Sequence, residues 1–139
     1  MLTGIHPLLT GELLWHLDAM GHGDAVVIAD AHFPAASRGE RVVTLAGACA
    51  PDVLSAVCTV VPLDDAPALD LMLVPAGALP VQRELADAAG IPIDDARMLD
   101  RGDFYDTAEN AYLIIRTGEQ RAFGNAILRK GLVAASTAA

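Results

Sequence analysis

Short apolar runs typical of buried strands alternate with helix patterns along this chain. Strands are predicted over residues 25–29, 41–45, 69–74, 96–99, 112–116 and 126–129. Helices are predicted over residues 12–20, 52–61, 81–89 and 103–110, with a loop between Pro34 and Gly39 and with Gly21 and Gly90 as left-handed stops. Such alternation builds a parallel or mixed central sheet between two helical layers, so we predict a three-layer α/β/α fold.

The length and composition predict one soluble domain, residues 1–139, that hides much of its surface. Of the 139 residues, 53% are hydrophobic and only 19% are charged. We therefore expect a sheet buried on both faces and large contacts between subunits of a homo-oligomer. No apolar run reaches the roughly 20 residues of a membrane span. We expect no secretory signal either, because the first six residues lack its basic start.

The charge balance argues against nucleic acid as a partner. Eighteen acidic residues against nine basic ones give a net charge of -9, which repels phosphate-rich ligands. Four cations lie late in the chain, and we expect them to form a solvated or interfacial edge. They are Arg116, Arg121, Arg129 and Lys130.

Disulfide and metal chemistry find little support in the sequence. Cys49 and Cys58 lie in or beside an apolar helix pattern, which predicts packed, reduced thiols and a cytoplasmic location. The four histidines show no paired ligand spacing. We therefore expect neither a metal nor another cofactor.

His22 stands between two glycines at a predicted helix-to-strand junction, and Asp30 follows the same strand. An imidazole titrates near ~6.5, so it can give and take a proton at neutral pH. With Arg101, Tyr105 and Asn125 available from elsewhere, this pair suits proton transfer on a polyhydroxylated ligand. A structural interpretation explains the same spacing: His22 caps a turn and Asp30 bonds loop amides. Spacing alone does not choose between them.

The other three histidines differ in what their positions predict. His32 follows Asp30 by two residues and is a competing candidate for a second pocket histidine. His16 lies within the first predicted helix, where packing or an interface is expected. His6 precedes Pro7, which predicts that it braces a turn.

Several separate motifs closely resemble those of the L-fucose mutarotase and D-ribose pyranase family. They occupy residues 5–9, 21–24, 29–35, 117–119 and 124–131, with Arg101, Phe104 and Tyr105 between them. The resemblance keeps its order over nearly the whole chain. It implies the fold of that family and an enzyme that interconverts the α and β anomers of a free sugar, closer to the fucose type. It also implies a ring of subunits, commonly a decamer, whose pockets are shared between neighbours.

The resemblance further implies roles for single residues. His22 matches the proton donor. We further expect Tyr105 to bind the sugar by offering a stacking face. The sugar-binding positions are Asp30, Arg101, Phe123, Gly124 and Asn125, the last three reaching in from a neighbouring subunit. Family members usually carry tyrosine where this chain has Phe123. Losing one hydroxyl hydrogen bond costs about 0.5 to 1.5 kcal/mol, enough to weaken binding or alter the preferred sugar.

Two alternatives to an enzyme stay open. One is a monosaccharide-binding or regulatory oligomer that accelerates nothing, and the other is a structural oligomer with a vestigial pocket. The preferred sugar is open as well: the resemblance favours L-fucose, and ribose, galactose and rhamnose compete with it.

Overall fold

The computed structural model describes residues 1–135; positions 136–139 of the loose tail predicted over 134–139 lie outside them. The strands are β1 (Ala25–Ala29), β2 (Val42–Leu45), β3 (Leu69–Met72), β4 (Arg97–Leu99), β5 (Leu113–Thr117) and β6 (Ala126–Arg129). The helices are α1 (Gly11–Ala19), α2 (Ala35–Arg38), α3 (Ala50–Cys58), α4 (Pro80–Ala89) and α5 (Arg101–Glu109), with a 3-10 turn at Ile93–Asp95. All six predicted strands and all four predicted helices are therefore present; β1 and β6 have the predicted bounds, and the ends of the other elements are shifted.

One mixed sheet runs through the molecule in the order β2-β5-β1-β6-β3-β4. β1 is parallel to β5, β5 to β2, and β3 to β4. β6 is antiparallel to both of its neighbours, β1 and β3. Every strand except β6 therefore points the same way, and the residues that precede β6 lie at the carboxyl edge of the others.

Helices cover both faces of the sheet and complete the predicted three-layer α/β/α fold. α1, α3 and α4 pack on the face that carries Val26, Ile28 and Ile115. α2 and α5 cover the central part of the opposite face, where Val27 and Phe104 are fully buried. Along the central strands the side chains alternate between the two cores and most of them are apolar; the buried carboxylate of Asp70 in β3 is an exception. Within residues 1–135, no helix is both long enough and apolar enough to cross a bilayer.

Local predictions failed where side chains closed the turns. Gly21 is not a left-handed stop, because α1 ends through an extended Met20 and the positive φ falls on Gly23. α2 was expected to be loop. It packs closely on the sheet because Gly39, which follows it, has no β-carbon. A β-carbon at this position would lie only 2.9 Å from Ile114 Cδ1. α5 begins two residues before the predicted start, since the Asp100 side chain caps it.

Three of the four late cations are paired within the chain. The prediction that the four form one solvated or interfacial edge is wrong, because Arg129 and Lys130 end the reversed strand β6 whereas Arg116 and Arg121 lie near the carboxyl end of β5. Arg129 donates to the buried carboxylate of Asp70 at 2.7 Å. Arg121 pairs with two glutamates, and Lys130 donates to main-chain carbonyls at the end of α1. Arg116 is the exposed residue of β5, whose other four residues are buried.

Candidate functional site

The carboxyl edge of the sheet gathers polar side chains from three elements. Asp30 directly follows β1, and Arg101 opens α5 two residues after β4 ends. Asn125 precedes β6, which runs the opposite way, so it reaches the same edge. Ligands of α/β sheets bind at such edges. The topology therefore assembles these residues from distant parts of the sequence.

Asp30 and Asn125 form a buried, reciprocal pair. The Asp30 main-chain amide donates to Asn125 Oδ1 at 2.7 Å, and Asn125 Nδ2 donates to Asp30 Oδ2 at 2.9 Å. The amide of His32 donates to the other carboxylate oxygen at 2.9 Å. Both residues belong to one chain, so the expectation that the stretch 123–125 reaches the site of Asp30 from a neighbouring subunit is wrong. The carboxylate keeps lone pairs free for a ligand.

A cavity of about 280 Å³ opens over this pair. Its polar lining is Asp30, His32, Arg101, Tyr105 and Asn125. The volume lies just below the roughly 300 to 1,000 Å³ that is usual for ligand sites. The site therefore fits a small ligand that carries several hydroxyl groups.

α5 supplies one wall of this cavity through Arg101 and Tyr105, which lie on the same helix face four residues apart. Arg101 Nη2 donates to the Tyr105 hydroxyl at 3.4 Å. The tyrosine ring already contacts the guanidinium of Arg38, 4.9 Å from its centroid, and the edge of Phe33. The ring is therefore held in place, and its hydroxyl is the polar group that it offers. A stacking role for this ring stays a prediction.

The remaining part of the cavity wall is apolar. It comprises Phe33, Met72, Ala122 and Phe123. Phe123 has φ +62, a left-handed conformation that is costly for a bulky residue. Gly124 lies behind this wall, where a β-carbon would stand only 2.7 Å from Glu119 Cγ. A glycine is therefore required for the turn to lie against Glu119.

Glu119 and Arg121 fix the same turn by charge. Glu119 is nearly buried and accepts from Arg121 Nη2 at 2.9 Å and from Arg121 Nε at 3.1 Å. The guanidinium holds the pKa of Glu119 below its usual range. The main-chain carbonyl of Glu119 also accepts from Ala31, next to Asp30, at 2.8 Å. The turn that carries Phe123 is thus tied to the residues that flank Asp30.

His22 lies at the other edge of the sheet. It precedes β1 whereas Asp30 follows it, and β1 alone spans roughly 13 Å. Within one chain, Asp30 therefore cannot orient His22 or share a small ligand with it, which corrects the idea that the two act together across one strand. His22 Nε2 instead lies 3.1 Å from Asp64 Oδ1, and its side chain is 53% exposed.

Lys130 fixes the loop that carries His22. Its ammonium group donates to the carbonyls of Leu17 and Met20, each at 2.8 Å, at the end of α1. Its own carbonyl accepts from Gly23 at 2.8 Å, which joins the loop to β6. The imidazole therefore projects from a loop that is held on both sides.

The remaining histidines fall into three different settings. His32 lines the cavity, so it stands beside the predicted binding residues as a candidate. His6 accepts from the Leu8 amide at 3.1 Å, which confirms its turn-bracing role. His16 stacks on the exposed Trp15 with centroids 5.4 Å apart. Residues 1–135 contain no cluster of three or more His, Cys, Asp or Glu side chains placed to hold a metal ion.

Sequence reasoning missed Phe33, Met72 and Asp64. Met72 is the last residue of β3, so the tendency of ligands to bind at strand ends was a signal that pointed to it. Phe33 lies within the run around His32. Asp64 sits in a loop 42 residues from His22, and no spacing signal connects the two.

A family model described as the RbsD / FucU transport protein family matches residues 3–133. The chain belongs to the RbsD/FucU family. The fucose mutarotase of Streptococcus pneumoniae, solved in complex with L-fucose, is 32% identical over 96% of this chain and 100% of its own, with a TM-score of 0.84. FucU from Bifidobacterium longum is 39% identical over 94% of this chain and 99% of its own, with a TM-score of 0.87.

The RbsD/FucU fold also extends to a more distant protein. RbsD of Bacillus subtilis, solved as a complex with D-ribose, is 22% identical over 92% of this chain and 97% of its own, with a TM-score of 0.73. At that identity the likeness concerns the fold alone. Both the family resemblance and the three-layer fold predicted from the sequence are confirmed.

Proposed function

We propose that this protein is a monosaccharide mutarotase, which interconverts the α and β anomers of a free pyranose such as L-fucose. The observation that carries the proposal is the convergence of Asp30, Arg101 and Asn125 on one small cavity in a member of the RbsD/FucU family. The carboxylate accepts, the guanidinium donates and the amide does both, which matches the hydroxyls of a sugar. The apolar wall suits the C–H face of a pyranose ring.

Anomer exchange is a proton-transfer reaction without net change in protons. One proton leaves the anomeric hydroxyl and another reaches the ring oxygen, so the bond between C1 and the ring oxygen breaks and C1 becomes an aldehyde carbon. Rotation about the C1–C2 bond and reclosure on the other face give the second anomer. A positioned general acid/base typically accelerates such a step by about 10²–10⁴-fold.

We assign that proton transfer to His22 of a second copy of the chain. His22 is half exposed at the edge opposite its own cavity, so it can reach a cavity only in another subunit. Head-to-tail contacts of this kind close into rings, in line with the decameric ring expected from the resemblance. The acidic surroundings of His22, with Asp24 and Asp64, complement the guanidinium of Arg101 in the cavity lining.

His32 is the competing acid/base within the same chain, because it lines the cavity that holds Asp30. Substitutions separate the two histidines. Exchange NMR on the anomeric protons of L-fucose compares the wild type with His22→Gln and His32→Gln. We expect the first variant to lose at least about a hundredfold in exchange rate and the second to lose far less. The reverse order would move the proton transfer to His32.

The same measurement separates an enzyme from a sugar-binding oligomer. A catalyst speeds the approach to an unchanged anomer ratio, whereas a binder shifts that ratio in proportion to the protein added. Wild-type protein that exchanges no faster than buffer, yet shifts the ratio, would replace the mutarotase proposal with the non-catalytic one. Absence of both effects across a panel of monosaccharides would leave a structural oligomer.

Mixed subunits test whether two chains build one site. His22→Gln keeps the cavity and Arg101→Met keeps the histidine, and each alone should be inactive. Refolding them together in equal amounts should restore about a quarter of wild-type activity, because one site in four combines an intact cavity with an intact histidine. Mixtures that stay inactive would contradict the shared site.

Phe123 bears on which sugar is preferred. Phe123→Tyr restores the hydroxyl that family members usually carry at this position. For a sugar that forms a hydrogen bond with the new tyrosine hydroxyl, we expect KM to fall by about two- to tenfold, which corresponds to one hydrogen bond. Running the variant beside the wild type on L-fucose, D-ribose, D-galactose and L-rhamnose shows whether the phenyl group redirects the choice. Identical KM values on every sugar would remove Phe123 from sugar choice.

A further inference from the structure

We propose that Asp64 is a positioning residue for His22: it holds the imidazole through Nε2 and leaves Nδ1 as the nitrogen that exchanges protons with the sugar. This inference rests on the mutarotase function proposed above. Asp64 belongs neither to the sequence motifs nor to the cavity lining, and the contact also specifies which tautomer His22 adopts.

The first step is the geometry of the contact. His22 Nε2 and Asp64 Oδ1 lie 3.1 Å apart, within hydrogen-bond distance. The carboxylate is itself held, because its Oδ1 accepts from the Asp65 amide at 2.9 Å. The Asp64 main chain is tied to β6 through its own amide, which donates to the Arg129 carbonyl at 2.9 Å. Asp64 is therefore a fixed acceptor rather than a mobile surface acid.

The second step is the tautomer. An ionised carboxylate only accepts hydrogen bonds, so the nitrogen that faces it must carry the hydrogen. The His22 hydrogen bond holds the pKa of Asp64 below its usual range, so the carboxylate is charged at neutral pH. The neutral imidazole is then Nε2–H, with the lone pair on Nδ1. No side chain or main-chain group of residues 1–135 is hydrogen-bonded to that Nδ1, which stays open to a neighbouring subunit.

The third step is to exclude the other charges nearby. Asp24 accepts from the Gly21 amide at 2.7 Å and so closes its own loop. Arg129 is engaged with buried Asp70, and Lys130 with the carbonyls at the end of α1. Asp65 contributes its amide to Asp64. Among the charged side chains of the described residues, Asp64 is the one that forms a hydrogen bond or ion pair with the His22 ring.

Asp65→Asn is the matched control for Asp64→Asn, since it removes the same charge one residue away without touching the ring contact. Ring-nitrogen NMR of the sugar-free protein reads the His22 tautomer directly. We expect Nε2–H in the wild type and in Asp65→Asn, and loss of that single tautomer in Asp64→Asn. The kcat for anomer exchange should fall on the order of tenfold or more in Asp64→Asn, with KM within about twofold.

Asp64→Glu keeps an acceptor carboxylate and should recover part of the lost kcat together with the Nε2–H tautomer. This variant also keeps the test decisive if Asp64→Asn does not fold. A purely structural Asp64 would lower stability without moving the tautomer, and that result would overturn the inference. Full kcat in Asp64→Asn would overturn it too.

Failure of the mutarotase function and failure of the role of Asp64 give different results. If the wild type exchanges no anomers, the mutarotase function fails, and the catalytic role of Asp64 fails with it, whatever the tautomer. If the wild type is active, His22→Gln is inactive and Asp64→Asn keeps both its tautomer and its rate, the function stands and only the role of Asp64 is lost.

Discussion

Asp30 and Asn125 exchange two hydrogen bonds across the edge of the sheet although 95 positions separate them in the sequence. The antiparallel insertion of β6 between β1 and β3 makes the pair possible, because it brings the start of one strand to the end of another. Since both side chains are nearly buried, the pair fixes the cavity floor before any ligand arrives.

Asn125→Ala should destabilise the protein and remove one polar group from the lining of the cavity. It leaves the buried Asp30 amide without its acceptor, so the free energy of unfolding should fall by about 1 to 3 kcal/mol in urea melts. Asn110→Ala, at the exposed end of α5, is the control and should change stability by no more than about 0.5 kcal/mol. Equal effects of the two variants would mean that the buried pair is worth no more than a surface bond.

Arg129 and Arg97 should differ in their contribution to stability, although both contact Asp70. Asp70 is fully buried, the Arg129 side chain is 18% exposed and the Arg97 side chain is 45% exposed. Each variant leaves Asp70 with one arginine, and the bond from the more buried arginine is less screened by solvent. Arg129→Met should therefore cost about 1.5 to 3 kcal/mol and Arg97→Met clearly less. Denaturant unfolding of the two variants and the wild type measures the difference. A larger loss for Arg97→Met would contradict the burial argument.

Glu119 should make the free energy of unfolding depend on pH in the acidic range. Because Arg121 holds the folded-state pKa of Glu119 below its ordinary value of 4.5, the pair stabilises the fold above that pH. The stabilisation is lost as the pH falls through the folded-state pKa, since the unfolded chain binds the proton first. The urea midpoint should therefore fall less steeply between pH 5 and 3, a range of about two units, in Glu119→Gln than in the wild type. Glu40→Gln, an exposed control, should follow the wild-type curve.

The two thiols should react at different rates. Burial raises the pKa of Cys58 to about 11, and it raises the pKa of Cys49 as well. At a pH of about 8, only about one Cys58 side chain in a thousand is thiolate, the reactive form. Iodoacetamide labelling followed by mass spectrometry should therefore modify Cys49 first, with Cys49→Ser isolating the slow site. Faster labelling of Cys58 in the folded protein would contradict its burial.

Much of the fold was predictable from the sequence, because the strands of this sheet are apolar on both faces and stand out from the helices between them. Two of the failures share a cause. Asp24 closes the turn after α1 and Asp100 begins α5 early, and both act through side-chain bonds that periodicity does not register. The predicted edge of late cations failed for another reason, since the direction of β6, which periodicity does not give, puts Arg129 and Arg116 at opposite edges of the sheet.

By itself, the sequence determined the layered α/β fold, the family, and the residue types that a hydroxyl-rich ligand requires. The tertiary structure decided which of those residues meet. It joined Asp30, Arg101 and Asn125 on one cavity and left His22 at the far edge beside Asp64. The physical reason is strand direction: a residue before β1 and a residue after it stand at opposite edges of the sheet, whereas the reversed β6 returns a distant residue to the same edge.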